Sequence, residues 1–397
     1  MKIITQKLTL IIALILGFSQ LALSNNNLQK TAGLVMSEDS TKSLSKDLSS
    51  LSYQSKNKLV HSKSVFDQMA LLSDEVLEIK LTTDLQNLIV NKNTEDYQLA
   101  YIEMQDANGS NISHKLKVKP RGKYRRKICD FPPLKLNFSK SALIERGLHP
   151  EFDKLKLVTH CTDKKMDAKD NVLREYLTYQ LYSKLTDHSF RTQLVKIEYV
   201  DLHNSSKPII RYGFLIEDKD EMATRLKGQI CDCRGLASDE ISQEEYQLMT
   251  MFQYMIGNED WDLAAIRNLK AVQLLNNNGA INNIIVPYDF DFSGVVNAPY
   301  AKPNNELQHT DIRQRHFAGD LSNANELEVL SNHFLAKKKE ILKTVRTFRR
   351  LSSDSRYEID KYLQEFYSIL ENEERASKAF LDDSSIGAVD NQPILTK

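Results

Sequence analysis

The sequence predicts an α+β chain of two lobes, a β-rich N-terminal lobe and a mainly helical C-terminal one. Three observations carry this. Short runs of alternating apolar and polar residues fill the first part, helical spacing dominates the second, and one hairpin pattern interrupts those helices. Two such lobes leave a cleft between them, a natural place for a ligand.

The elements follow in order. Residues 1–24, "MKIITQKLTLIIALILGFSQLALS", place Lys2 and Lys7 before an apolar run from Leu8 to Phe18, then small residues at Ala22 and Ser24. This is the anatomy of a cleaved secretory signal. The run is shorter than the roughly 20 apolar residues a membrane span needs, so no stable span is expected after cleavage. Export to a periplasmic or secreted location is the expectation. Residues 25–75 are rich in Ser, Asn and Lys and read as a flexible leader.

The N-terminal lobe, residues 76–222, opens with strand patterns in "VLEIKLTTDL", "YQLAYIEM" and "HKLKVKP". In the last, Lys115, Lys117 and Lys119 alternate with Leu116 and Val118, giving one buried and one basic face. "PPLKLNF", "KLKLVTH", "QLVKIEYVD" and "RYGFLIED" read as further strands. "NVLREYLTYQLYSKL" has helical spacing, with Asp170 placed to cap it. The C-terminal lobe, residues 223–397, holds three long helical patterns. Between the first two, "NLKAVQLL" and "NIIVPYDFDF" flank an "NNNGAINN" turn.

Lysine plus arginine and aspartate plus glutamate both total 53, so the formal charge is zero. No whole-chain field favours nucleic acid, and no nucleic-acid partner is expected. The cysteines are Cys129, Cys161, Cys231 and Cys233. An even number in an exported chain favours disulfides, because a single C-x-C lacks the paired spacing of a zinc ribbon. Cys129 and Cys161 each border a strand pattern, so a bridge between them would staple neighbouring strands; Cys231 and Cys233 remain alternative partners.

"VPYDFDFSG" then raises a chemical question. Asp289 and Asp291 lie at the end of an apolar run, and in a strand alternate side chains share a face. Two carboxylates on one face suit a divalent cation. With "VKPRG", "CDFPPLKLNF", "KLKLVTHC", "GFLIED" and "GNEDW" before it, the series resembles the CotH family of atypical kinases, in its exported bacterial branch, over roughly residues 76–320. The resemblance implies a divergent protein-kinase-like fold, ATP with Mg²⁺ or Mn²⁺, and phosphoryl transfer to a protein hydroxyl.

Phosphoryl transfer rests on positioning and charge neutralisation, which gives each residue a role. Lys135, Arg121 and the backbone at Gly122 would meet phosphates, with Glu175 fixing Lys135. Glu217 would lie beside the adenine. Asp260 would be the base, and Asp289, Asn268 and Asp291 would hold the metal. Trp261, the only tryptophan, would pack at the cleft floor.

The series also departs from ordinary kinases. It has no G-x-G-x-x-G loop, and Asp260 and Asn268 are not at the five-residue spacing of H-R-D-x-x-x-x-N. Asp262 therefore competes as base, and Asn258 as metal ligand. Two other classes of function stay open: a catalytically silent binding module of the cell envelope, and a metal-dependent hydrolase built on the aspartate pair.

Overall fold

Alternation puts strands where it was read, but their partners make a different architecture. In the computed structural model, which describes residues 63–70, 75–105, 109–162, 165–204, 206–275 and 281–381, seven of ten strands form one sheet. They are β1 (Leu77–Thr83), β2 (Gln98–Gln105), β3 (Asn111–Pro120), β4 (Leu134–Phe138), β5 (Lys154–Val158), β6 (Thr192–Asp201) and β7 (Ile209–Ile216). They close into a barrel in the order β1-β2-β3-β4-β5-β7-β6. Closure comes from a parallel pairing of β1 with β6, from Leu77 opposite Val195 to Thr83 opposite Asp201.

This overturns the two-lobed kinase-like fold. The N-terminal part is a closed barrel, not an open sheet over a helical lobe, and ten α-helices accompany it among the described residues. Period-2 alternation tells which face a residue takes, not which strand lies beside it. The β1–β6 pairing joins strands far apart in sequence and leaves no local signal.

The barrel is filled with side chains. Leu81, Ala100, Ile102, Val118, Leu134 and Leu136 are fully buried in its core. A short helix, Val65–Met69, adds Val65, Phe66 and Met69 to that core, and its start is fixed by a capping box between Ser64 and Asp67. It lies inside the stretch read as leader. The signal at 1–24 lies outside the described residues. Gly213 is needed where β7 passes β5, since a Cβ there would sit 2.7 Å from the Val158 carbonyl oxygen.

Cys129 and Cys161 form a disulfide, and the Asp130 N–H donates to the Cys161 carbonyl at 2.8 Å. Cys231 and Cys233 pair with each other.

Beyond the barrel, the helices Gln243–Ile256, Ala324–Thr347, Ser353–Leu370 and Glu373–Phe380 build a second core. The helical pattern over residues 356–380 runs through both of the last two without a break; Asn372 caps the second and divides the run. A three-stranded antiparallel sheet, β8 (Gly228–Cys231), β9 (Leu269–Leu275) and β10 (Ile281–Pro287), completes this part. The helix Lys165–Leu185 packs on β6 and β7, on the helix Ala324–Thr347 and on the 3₁₀ turn Phe290–Phe292. Asp170 does not cap it but lies within it, accepting from the hydroxyl of Ser355. No helix among the described residues is long and apolar enough to cross a membrane.

Candidate functional site

Glu175 is on a helix whose residues 172–179 are all buried, so it has no solvent face to occupy. It turns toward the loop after β10. One helical turn on, the Tyr179 hydroxyl accepts the Asp289 N–H at 2.8 Å. The same helix face therefore offers a carboxylate and grips the aspartate loop by its backbone.

The aspartate doublet is not in a strand. β10 ends at Pro287, Asp289 adopts a left-handed conformation (φ +64°), and Phe290–Phe292 form a 3₁₀ turn. Aspartate tolerates that conformation better than most residues. The kink, not strand alternation, brings Asp289 and Asp291 to one place. Ligand-type oxygens of Glu175, Asp289 and Asp291 all lie within 4.8 Å of one another.

Between them sits Arg125, from the one-turn helix Arg125–Ile128. Its Nη2 is 2.7 Å from Glu175 Oε2 and 3.7 Å from Asp289 Oδ1, and its Nε is 2.7 Å from Asp291 Oδ2. The Tyr300 hydroxyl adds a bond to Asp291 at 3.1 Å. Burial works against the Arg125 charge, but Asp291 and Glu175 outweigh it and hold the guanidinium protonated. Burial, opposed by Arg125 and reinforced by the two aspartates, pushes Glu175 up to about 8. Burial likewise raises Asp291 against the pull of Arg125. Glu175 Oε1 is buried with no hydrogen-bond partner among the described residues. Three carboxylates against one guanidinium leave a formal charge of −2 when all are ionised.

Positive charge reaches this cluster from Lys156, on which Asp289 acts, and further lysines flank Lys156 on the barrel. In the barrel register Lys119 pairs with Lys135, and Lys135 with Lys156. Lys156 is half-buried, with its ammonium 4.0 Å from the centre of the Tyr288 ring; Lys270 approaches the same ring at 5.1 Å. Burial, then Arg121, push Lys156 down to about 7, while Asp289 pulls the other way. Burial also lowers Lys135, with Lys154 and Lys119 adding repulsion, and lowers Lys270. Lys119 is paired with Glu95. Arg121, Lys135, Lys156 and Lys270 are in no ion pair with a described residue.

Asp260 follows the helix Gln243–Ile256, which ends on Gly257 in the left-handed region (φ +64°). Asn258 braces the turn, donating to Gln253 and accepting the Asp260 N–H at 3.2 Å. Asn268 Nδ2 donates to the Asp260 carbonyl at 2.6 Å and to its carboxylate at 2.9 Å. Burial raises Asp260, the charge of Asp289 adds to it, and Arg267 opposes. Asp262 Oδ1 instead closes a turn on the Ala265 N–H at 2.6 Å. A cavity of about 260 Å³ opens beside Asp260, lined by Glu259, Arg267, Phe292, Lys302 and His309 among others.

Several sequence-read roles therefore land elsewhere. Glu175 pairs with Arg125 rather than Lys135. Asn268 clamps Asp260, and Asn258 holds the loop. Glu217 is enclosed by arginines, with Arg191 Nε at 2.7 Å and Arg225 Nη2 at 2.7 Å on its two oxygens. It ties the end of β7 to the following helix. Trp261 packs on the cluster around Leu269 and Ile285. Arg121 stays among the cations, its N–H bonded to the Pro133 carbonyl at 2.8 Å.

Sequence reading missed Arg125, one of several cations in a basic run, and Lys156. A partial signal for Lys156 was present, a charged residue in the strand pattern "KLKLV"; its place beside Lys135 comes from strand pairing, which the sequence does not mark. No family model matches the chain, and no curated protein matches it.

Proposed function

We propose that the chain is an exported phosphotransferase that moves the γ-phosphoryl group of ATP, as a complex with Mg²⁺ or Mn²⁺, to a protein hydroxyl. The observation that carries this is the pairing of opposite, unbalanced charges. Three carboxylates against one arginine lie beside Lys156, and Lys156, Arg121, Lys135 and Lys270 are in no ion pair with a described residue. A divalent cation on a polyphosphate complements both at once.

The residues fit a hard cation. Glu175, Asp289 and Asp291 offer oxygens only, and Glu175 Oε1 is buried without a partner among the described residues. When bound, the cation would draw charge from phosphate oxygens. The chain's own residues do the rest. Lys135, Lys156, Lys270 and Arg121 would hold the phosphates, and Arg125 would keep Glu175 and Asp291 aligned. Asp260, oriented by Asn268 and lifted in basicity by burial, would take the acceptor's proton. Two disulfides suit an oxidising compartment. The resemblance to CotH-type kinases points to the same chemistry without being needed for the charge argument.

A second reading has its own observation. Arg125 already makes two 2.7 Å contacts inside the carboxylate cluster, which favours a module that binds nucleotide without turning it over.

Labelled ATP with Mn²⁺ separates the two. Asp260→Asn is expected to slow transfer by about 10²–10⁴-fold with nucleotide affinity near wild type. Asp262→Asn should transfer normally, since asparagine can still accept the Ala265 N–H. If wild type binds ATP yet labels no protein, the binding module stands. If it binds no ATP with either metal, both readings fall.

A further inference from the structure

We infer that Cys231–Cys233 is a thiol–disulfide exchange site whose state is felt by the loop that follows Asp260. A bridge across two positions closes almost no chain, so it removes little entropy from the unfolded state and is a poor staple. Cys129–Cys161 is the opposite case. It spans 32 positions, and one of its cysteines, Cys129, is 1% exposed while Cys161 is half-buried. Cys231 and Cys233 are both half-buried, with exposed Asp232 between them and exposed Arg234 and Gly235 after them. Access for an attacking thiolate favours exchange, and neither cysteine of this bridge is fully buried, whereas Cys129 is.

The site is wired to the Asp260 loop in two ways. Gly235, two residues beyond Cys233, donates its N–H to the Ala264 carbonyl at 2.7 Å. Cys231, Cys233, Trp261, Leu263 and Ile266 also pack on one shared apolar cluster. On the strand side, Cys231 is in register with Ala271 of β9, the strand that starts one residue after Asn268, which clamps Asp260.

The chemistry needs a dithiol as co-reactant. Its thiolate attacks one sulfur of the bridge, the S–S bond breaks, and the leaving thiolate takes a proton from solvent. The dithiol's second sulfur, having lost its proton, then attacks the mixed disulfide. Cys231 and Cys233 end as thiols, and the dithiol ends as a disulfide. Two electrons have passed to the protein.

The test uses the full chain and dithiothreitol in graded amounts, with differential alkylation to map each cysteine. Trp261 is the only tryptophan, so its emission reports the loop. Cys231 and Cys233 are expected to open while Cys129–Cys161 stays closed, with Trp261 emission changing in step. A Cys231→Ser/Cys233→Ser variant should lose that emission response over the same range. The inference is overturned if both bridges open together, if Cys129–Cys161 opens first, or if emission stays flat as Cys231–Cys233 opens. None of these outcomes depends on nucleotide binding, so failure of the transfer reading would leave them unchanged.

Discussion

Replacing Glu175 by glutamine should make the protein more stable with rising pH, relative to wild type, while destroying its cation site. The argument starts from one proton. An unfolded glutamate titrates near 4.5, whereas burial pushes Glu175 up to about 8 in the folded state. Between those values the native chain holds a proton that the unfolded chain has released. The native state therefore binds more protons, and stability must fall as pH rises through that window. Each pH unit costs about 1.4 kcal/mol, so from pH 6 to pH 8 this group alone removes about 2–3 kcal/mol.

Glutamine has no proton to lose. It keeps an oxygen for Arg125 but leaves an amide donor where Glu175 Oε1 has no partner, at a cost of about 1–3 kcal/mol. That cost is the same at both pH values and drops out of the comparison. Urea unfolding at pH 6 and pH 8 should show Glu175→Gln gaining about 2–3 kcal/mol on wild type over the interval. Calorimetry at pH 8 should show Mn²⁺ binding lost. If the two proteins' stabilities run parallel with pH, Glu175 is not holding a proton. If Glu175→Gln binds Mn²⁺ like wild type, the carboxylate cluster is not the cation site.

Asp289→Asn should lose Mn²⁺ binding with the fold intact, because asparagine also tolerates the left-handed backbone; Asp289→Ala should lose it and also about 1 kcal/mol of stability, measured by denaturant titration. Lys156→Met should weaken binding of inorganic tripolyphosphate by about 10- to 100-fold in calorimetry, the worth of one charge-assisted contact, and Lys135→Met should weaken it less. A Cys129→Ser/Cys161→Ser variant should lose about 3–4 kcal/mol in urea unfolding, as expected for opening a loop of this length.

The local content of the chain was legible and its long-range content was not. All seven barrel strands and both β9 and β10 were read from alternation and turn residues, because those signals lie within a few residues. The missed pieces are short or conditional. β8 has four residues, and the helix Val65–Met69 has five in a polar stretch. Barrel closure was invisible because Leu77 carries no mark of Val195. The Cys129–Cys161 bridge was readable because each cysteine lies close in sequence to a strand, β4 or β5, although Cys129 itself caps the helix Arg125–Ile128.

The site divides along the same line. The aspartate doublet and Asp260 were found because carboxylates at a strand end and after a helix are conspicuous in sequence. Their geometry was not, since the doublet converges through the positive φ of Asp289 rather than through strand alternation. Arg125 shows why charge is hard to read locally. In "RGKYRRK" it is one cation among five, and a basic run is ordinarily a solvated face. Its neighbour Arg126 behaves partly in that way, bonding to the carbonyls of Asn93 and Thr94 and to exposed Glu95. Only Arg125 turns inward, because the one-turn helix ending at Cys129 aims it at Glu175 and Asp291. A buried guanidinium needs buried carboxylates, and those carboxylates come from a helix and a loop that meet only in the folded chain. The electrostatic balance of the site is thus a property of the fold, carried by residue types that sequence reading assigned one at a time.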